Sequence, residues 1–519
     1  MRKIFACAAV LAGSAMAVHA ADLDASSIKD PLPDTLSWHG VTVYGTIDVG
    51  YAYQTNGRPL GYIVSDLEYM PFGLVTRNLT GQSISSLTAN ALEQSKIGVK
   101  IEEDIGYGLQ AIGRIDTGFD PVSGELSNGC ESVLVNSGIP YAKQTSNSDS
   151  ARCGQAFNNV AYGGLSSPLY GTLTVGRQFS LQLDTLSAYD PMALSYAFSV
   201  LGFSGAAAGM GSTQASRWDD SAKYVFSYGP FHAAGMYSNG GSETGIFGDA
   251  YGANVGFTYR GFSLDGVWAQ EHSVVNLQSA INNVFLSQTL GVNISDNEGW
   301  TVAGKYTYEF GGDFLGGSFK DGGSCGGLKD AACPSPSKMT FFAGYTHTDQ
   351  SNPHDHVSFG DTQGGYPITV SAGPTPALSP DNNAFTTDRI YQFFWTGAKY
   401  ELPSGWSFTA AYYHIDQNSY VADNTACTLG GATRTQCAGT FDQGAFLVDY
   451  AFNKHLDVYA GVTHAVANDG LAAAYGGTPS TTGAITGTTG TCGGVPCRTN
   501  GPATSVDAFD FVTGMRLKF

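Results

Sequence analysis

The chain has 519 residues, with 25 basic against 44 acidic side chains and a formal net charge of −19 at pH 7. Such a surface repels phosphate backbones, which argues against nucleic acid as a partner and favours cations. Charged residues supply only 13% of the chain, against about 25% in ordinary soluble domains, while Gly, Tyr and Phe are abundant at 68, 28 and 29.

Residues 1–20 read as an export signal. Met1-Arg2-Lys3 is a short basic start, Ile4 to Val18 is mostly apolar, and Val18 and Ala20 place small residues for cleavage before Ala21. A membrane anchor would need about 20 apolar residues, more than this run holds. Cys7 lies inside the apolar region and not at a cleavage position. Residues 21–40 read as an N-terminal periplasmic extension. Beyond them no apolar run is long enough for a transmembrane helix.

From residue 41 the chain alternates apolar and polar side chains in segments of about ten residues, the period of a strand with two different faces. Strands are expected near 41–55, 94–103, 108–119, 157–165, 170–178, 219–228, 231–239 and 250–259. Eight more follow near 261–270, 299–310, 338–348, 390–401, 405–416, 441–452, 455–466 and 506–519. After most even strands the links are tight, as in Ser166-Ser167-Pro168-Leu169, Gly229-Pro230, Arg260-Gly261 and Asn453-Lys454. After the odd strands they are mostly long, at 56–93, 120–156, 179–218, 271–298, 349–389, 417–440 and 467–505, with a shorter one at 240–249. One link breaks the rule: 311–337 reads as an insertion on the short-turn side.

Alternating short and long links are the mark of an outer-membrane barrel. The expected fold is therefore all-β, a transmembrane antiparallel β-barrel of 16 strands over 41–519. Short turns would face the periplasm and long loops the outside. The faces agree: Phe446, Val448, Tyr450 and Phe452 oppose Ala445, Leu447 and Asp449. In the last segment Phe509, Phe511, Met515, Leu517 and Phe519 oppose Asp510, Gly514, Arg516 and Lys518. Aromatic residues near strand ends (Tyr44, Tyr107, Tyr170, Phe231, Tyr259, Phe310, Tyr400, Trp406) would form girdles at the lipid interface. A soluble sandwich or propeller explains neither the loop lengths nor the final strand, and no repeat of about 40–50 residues is visible.

Eight cysteines remain once Cys7 leaves with the signal. They fall into local pairs in loop-like sequence: Cys130 with Cys153, Cys325 with Cys333, Cys427 with Cys437, and Cys492 with Cys497. An even set in an exported chain implies loop-stapling disulfides, although spacing alone does not prove the pairing. Cys-x4-Cys without a nearby His is a poor zinc pattern.

Several segments together resemble the Gram-negative general porins, the trimeric sixteen-stranded diffusion channels. Val41-Thr42-Val43-Tyr44-Gly45-Thr46-Ile47-Asp48-Val49-Gly50 is similar to the family's opening strand. Ser95 to Lys100, with Glu102-Glu103-Asp104-Ile105-Gly106-Tyr107-Gly108-Leu109, resembles its second strand and turn. Tyr170 to Gln178 resembles the strand entering loop three, and Arg217 to Tyr224 the return from it. The match covers the first half well and the second half thinly. The chain departs from the family in length, in its cysteines, in the 21–40 extension and in the 311–337 insertion.

The resemblance implies a homotrimer in the outer-membrane lipid of a Gram-negative bacterium. Small hydrophilic solutes and ions would cross passively, with no cofactor, no metal and no enzymatic reaction. It further implies that loop three, 179–218, folds into the lumen and sets acidic residues opposite a basic wall. Carried over by motif, Lys96, Arg177 and Lys223 belong to that wall, with Arg114 and Arg217 as weaker candidates. Asp184 and Asp190 supply the acidic side. Strict alternation from Leu173 and Val175 would turn Arg177 outward, so its assignment requires a local bulge. Arg516 and Lys518 are expected to solvate the lumen. Phe519 is expected to be read by the barrel-assembly machinery.

Residues Ala193 to Ser212 are apolar for a loop, and packing within the lumen is favoured over lining a path for less polar solutes. His347, His354, Asp355 and His356 could together hold a divalent cation, but a loop is a poor cage. No Gly-x-Ser-x-Gly elbow appears, and the Gly-rich stretches lack the lysine and helix of a phosphate cradle. Two rival readings stay open: a substrate-specific porin of eighteen strands, and a barrel serving mainly as a surface adhesin through stapled loops.

Overall fold

A computed structural model describes residues 36–55, 83–124, 126–127, 156–202, 206–211, 216–239, 249–276, 291–310, 336–351, 368–370, 378–380, 387–419, 438–468, 489–492, 495–498 and 505–519. Sixteen strands cross the barrel. The first eight are β1 (Val41–Gln54), β2 (Lys96–Gly106), β3 (Leu109–Gly118), β4 (Val160–Ser167), β5 (Gly171–Phe179), β6 (Arg217–Tyr228), β7 (Phe231–Ser238) and β8 (Ala250–Tyr259). The rest are β9 (Phe262–Asn276), β10 (Gly291–Phe310), β11 (Ser337–Ser351), β12 (Arg389–Glu401), β13 (Trp406–Gln417), β14 (Gly439–Ala451), β15 (Leu456–Asn468) and β16 (Ser505–Lys518). Each expected segment is found, with its ends moved by a few residues except for the longer β9 and β10.

Consecutive strands pair antiparallel, and β16 returns to β1 in a ladder from Thr46↔Lys518 to Gln54↔Asp510. That last ladder removes the free edge an open sheet would expose to lipid. At the short-turn end Tyr259 pairs with Phe262 across Arg260 and Gly261, whose φ values are 48° and 81°. Two positive φ values make the mirror-image turn that follows the twist of its strands. The 311–337 insertion leaves and rejoins at Phe310↔Ser337, and its residues 311–335 lie outside the described set.

Further pieces of strand lie in the long loops. Ile84–Ala89 pairs with the upper half of β1, from Val49↔Ala89 to Gln54↔Ile84. The lower half of β1, Val41 to Thr46, pairs with β2. The second crossing is thus a single path interrupted by residues 90–95. Ile368–Val370 and Leu378–Pro380 form a separate two-stranded sheet. Neither piece adds a crossing, so the count stays at sixteen and the eighteen-stranded reading falls.

Side-chain direction follows the alternation. Ile97, Ile101, Leu165, Val255, Val302 and Met515 stand exposed on the outer face, where lipid would cover them. A charged residue there would cost about 2–4 kcal/mol at mid-depth. Tyr107, Tyr170, Tyr228, Phe231, Tyr259, Trp406 and Phe452 project near the short-turn end as an interfacial girdle. Tyr44 does not join it. Its hydroxyl donates inward to Asp116 Oδ2 at 2.5 Å, because an even position on β1 faces the lumen.

The inner face is not uniformly polar. On β12 to β15, Phe393, Trp395, Tyr413, Ile415, Phe441 and Leu447 form one side of a buried apolar cluster. The other side comes from the connection between β5 and β6.

Candidate functional site

That connection is loop three, and it folds into the barrel. It opens with a helix, α1 (Leu181–Tyr189), capped by Ser180, whose hydroxyl accepts from Leu183 N at 3.1 Å. The cap satisfies an amide that the first helical turn would leave bare. Leu181, Gln182, Leu183, Thr185, Leu186 and Tyr189 are buried. Only Asp184, Ser187 and Ala188 escape burial, at the i, i+3, i+4 spacing of one stripe. A helix buried on every side but one has a wall behind it and the aqueous path in front.

Polar bonds fix α1 and its extension to the wall. Gln182 Nε2 donates to Thr301 Oγ1 at 2.6 Å, Tyr189 hydroxyl to Asp265 Oδ1 at 2.9 Å, and Trp395 Nε1 to Tyr189 O at 3.0 Å. Gln443 Nε2 and Gln350 Nε2 donate to Phe198 O at 3.0 Å and Gly211 O at 2.7 Å. Phe198, Val200 and Leu201 are fully buried in the apolar cluster. The apolar middle of the loop therefore packs against the wall. Glycines on the wall make room: a Cβ at Gly461 would come within 2.5 Å of the Phe198 ring.

The sequence-derived charges fall into two groups. Asp184 stands on the open stripe of α1 and accepts from Lys223 Nζ at 2.7 Å. Arg114 also acts on it, which relates the loop acid to the wall base. Burial pushes the Asp184 carboxyl above its usual range, against the opposing pull of Lys223 and Arg114. With 44% of the side chain exposed, solvent screens that push. Arg114 is held by Tyr44 hydroxyl at 2.7 Å and by Asp116 Oδ2 at 2.7 Å. Lys96 pairs with Glu93 at 2.7 Å.

The other three are engaged at the root and in the seat of loop three. Arg177 sits at a bulge, where the β5–β6 register shifts between Gly176 and Gln178. It is buried there, with Nη1 on Asp219 Oδ1 at 2.5 Å and Nε on Asn158 O at 2.8 Å. Both contacts tie the root of loop three. Arg217 lies over the Phe179 ring at 5.0 Å and bonds Asn159 Oδ1 at 2.8 Å. Asp190 is 3% exposed and accepts from Tyr413 hydroxyl at 2.6 Å and Leu194 N at 2.7 Å. Burial raises its carboxyl above the usual range in spite of these donors.

A family model described as Gram-negative porin matches residues 5–471. The chain belongs to the Gram-negative porin family. It is 25% identical over 321 residues to an outer-membrane porin protein of Bordetella pertussis. That alignment spans 60% of this chain and 66% of the relative, just under two thirds. Among solved structures, the anion-selective porin from Comamonas acidovorans superposes with a TM-score of 0.52 at 14% identity, covering 92% of this chain and 99% of that one. OmpT, an outer-membrane protein of Vibrio cholerae, gives 0.48 at 13% identity, covering 94% and 100%. At such identities the likeness shows the fold alone. The family places this porin in the outer membrane.

Sequence reasoning missed the porin's second inward element, residues 90–95. Asp48 on β1 organises it: Oδ2 accepts from Leu92 N at 2.7 Å and Glu93 N at 2.9 Å, while Oδ1 accepts from Tyr459 at 2.5 Å. Asn90 takes a left-handed φ of 59°, which Asn tolerates better than most side chains. The turn meets loop three through Ala197 N on Ala91 O at 2.9 Å and Tyr196 hydroxyl on Gln94 Oε1 at 3.1 Å. The Asn in Thr88-Ala89-Asn90-Ala91 was the available signal, a turn former interrupting an alternating run.

At the seam, Phe519 and Gly45 exchange backbone bonds at 2.9 and 3.1 Å, and the Phe519 ring covers the Gly45 Cα. Cys492 and Cys497 lie on the paired strands Thr489–Cys492 and Val495–Arg498. Cys130, Cys153, Cys325, Cys333, Cys427 and Cys437 fall outside the described residues, as do residues 1–35, where the signal and most of the extension are expected. His354, Asp355 and His356 do too, whereas His347 stacks on Trp300 at 5.7 Å.

Proposed function

We propose that this porin forms a water-filled channel for passive diffusion of small hydrophilic solutes and ions, and that it works as a homotrimer. The observation that carries the reading is the single open stripe of α1, with Asp184 turned to Lys223 and within the influence of Arg114. Opposed charges across a narrow path orient dipolar solutes and slow apolar ones. Family and fold point to a channel and not an enzyme.

The lumen charges of the wall are paired at home: Arg114 with Asp116, Lys96 with Glu93, Arg516 with Asp457. Paired bases attract anions weakly, and the net charge of −19 favours cations. A weak cation preference is therefore expected, in contrast to the selectivity named for the Comamonas protein. Purified protein in planar bilayers should give stepwise conductance, with a reversal potential on the cation side in a salt gradient. Triplet steps and a trimeric particle mass are expected from the same preparation. Absence of steps would sink the channel reading; an anion-side potential would sink the selectivity. In the same reading Phe519, at the seam with Gly45, serves barrel assembly.

A further inference from the structure

Residues 90–95 carry one side chain whose part in the channel goes beyond its pairing with Lys96. Glu93 projects from the inward turn between two bases. Its Oε1 accepts from Lys96 Nζ at 2.7 Å, and its Oε2 lies 3.3 Å from Arg516 Nη1. Thr46 Oγ1 is 3.5 Å from Oε1. Arg516 also meets Asp457 at 3.2 Å and Asp449 at 3.7 Å, and Lys518 meets Asp457 at 3.7 Å. Three cations, Lys96, Arg516 and Lys518, thus share three carboxylates, Glu93, Asp449 and Asp457.

Balance in this cluster depends on the turn. Asp449 and Asp457 come from strands β14 and β15, fixed by the ladder. Glu93 is delivered by the break in the second crossing, with its backbone amide on Asp48 Oδ2. Glu93 is also more open than its cationic partners, 30% exposed against 19% for Lys96 and 16% for Arg516. The carboxylate thus stands in front of the two bases it touches, while Lys518, 40% exposed, is more open still.

We propose that Glu93 sets the charge selectivity of the channel by neutralising Lys96 and Arg516 from the lumen side. This deepens the diffusion-channel reading and rests on it. Without Glu93 the cluster carries one net positive charge at the wall of a confined path. One unit charge a few ångströms from a hydrated ion, screened by salt, changes local ion concentrations about two- to threefold.

The test compares reversal potentials of single channels in a potassium chloride gradient. Glu93→Gln should lower the cation-to-anion permeability ratio about two- to threefold, whereas Glu93→Asp should leave it near the wild-type value. Lys96→Met should move the ratio the other way, and it decides the matter if Glu93→Gln fails to fold. A merely structural turn would change the size of the conductance steps and not the ratio. Stepwise conductance in Glu93→Gln with an unaltered ratio overturns the proposal. So does an unaltered ratio in Lys96→Met. Loss of steps in the wild type instead overturns the channel itself.

Discussion

Two acids on loop three illustrate how position decides role. Asp184 and Asp190 are six residues apart in similar sequence, yet one faces the path and the other is 3% exposed beneath Tyr413. Burial raises the Asp190 carboxyl while loop three is docked, so the docked state holds its proton more tightly than the released state. The contribution of this group is therefore full below the ordinary carboxylate range, and it is lost as pH rises through the docked value. Asp190→Asn cannot titrate and should flatten that slope. Thermal unfolding of the two proteins from about pH 3 to 7 should show the wild type losing ground with rising pH. Parallel curves would show that Asp190 does not titrate there. From sequence the two acids were indistinguishable, because nothing in Asp184 or Asp190 names the strand that will face it. The bulge at Arg177 was legible, since alternation from Leu173 and Val175 left no other way inward. The reason Arg177 is nonetheless buried lies in Asp219 and Asn158, partners that only the fold supplies.

At the scale of elements, the strands were legible in the alternation, the inward course of loop three came from the family resemblance, and the 90–95 turn was missed. A strand between lipid and lumen writes its environment into period two, and that signal located all sixteen. Helix α1 is short, and its apolar side chains face a wall no neighbouring residue reveals. A hint lies in β12, where Tyr391-Gln392-Phe393-Phe394-Trp395 is aromatic on both faces. Such a strand is covered on its inner side too, here by loop three. Phe198 is the clearest part of that cover, buried against Gly461. Phe198→Ala should cost about 3–5 kcal/mol of stability and release the loop's apolar middle. Larger, noisier single-channel steps are expected. Unchanged steps in a folded variant would mean that the bonds from Gln350, Gln443 and Trp395 hold the loop without its ring.

For the whole molecule, closure rests on one ladder between chain ends. Gly45 lies under the Phe519 ring, where a Cβ would come within 2.3 Å of the ring carbon Cζ. Gly45→Leu must lift that ring from the seam. The expected result is a lower yield of the heat-modifiable folded band, with normal conductance in those barrels that do insert. Wild-type yield would show that the ring is dispensable for closure. The mature fold class, strand count and loop asymmetry followed from alternation and turn residues. The apolar half of the lumen did not, because it depends on partners far apart in the chain.

The clasp between Ala197 and Ala91, together with Phe198 on Gly461, also sets an order of events. Loop three is made early in the chain, but its seat is built from β12 to β15, from Val512 on β16 and from the 90–95 turn. The seat as a whole is complete only when the last strand has returned to the first. Contacts so distant in sequence form slowly, since their loop-closure entropy is met before they stabilise anything. Complete docking of loop three is thus expected only after the barrel has shut. A copy whose barrel shuts before loop three docks is expected to be a wide, unguarded hole before it becomes a selective one.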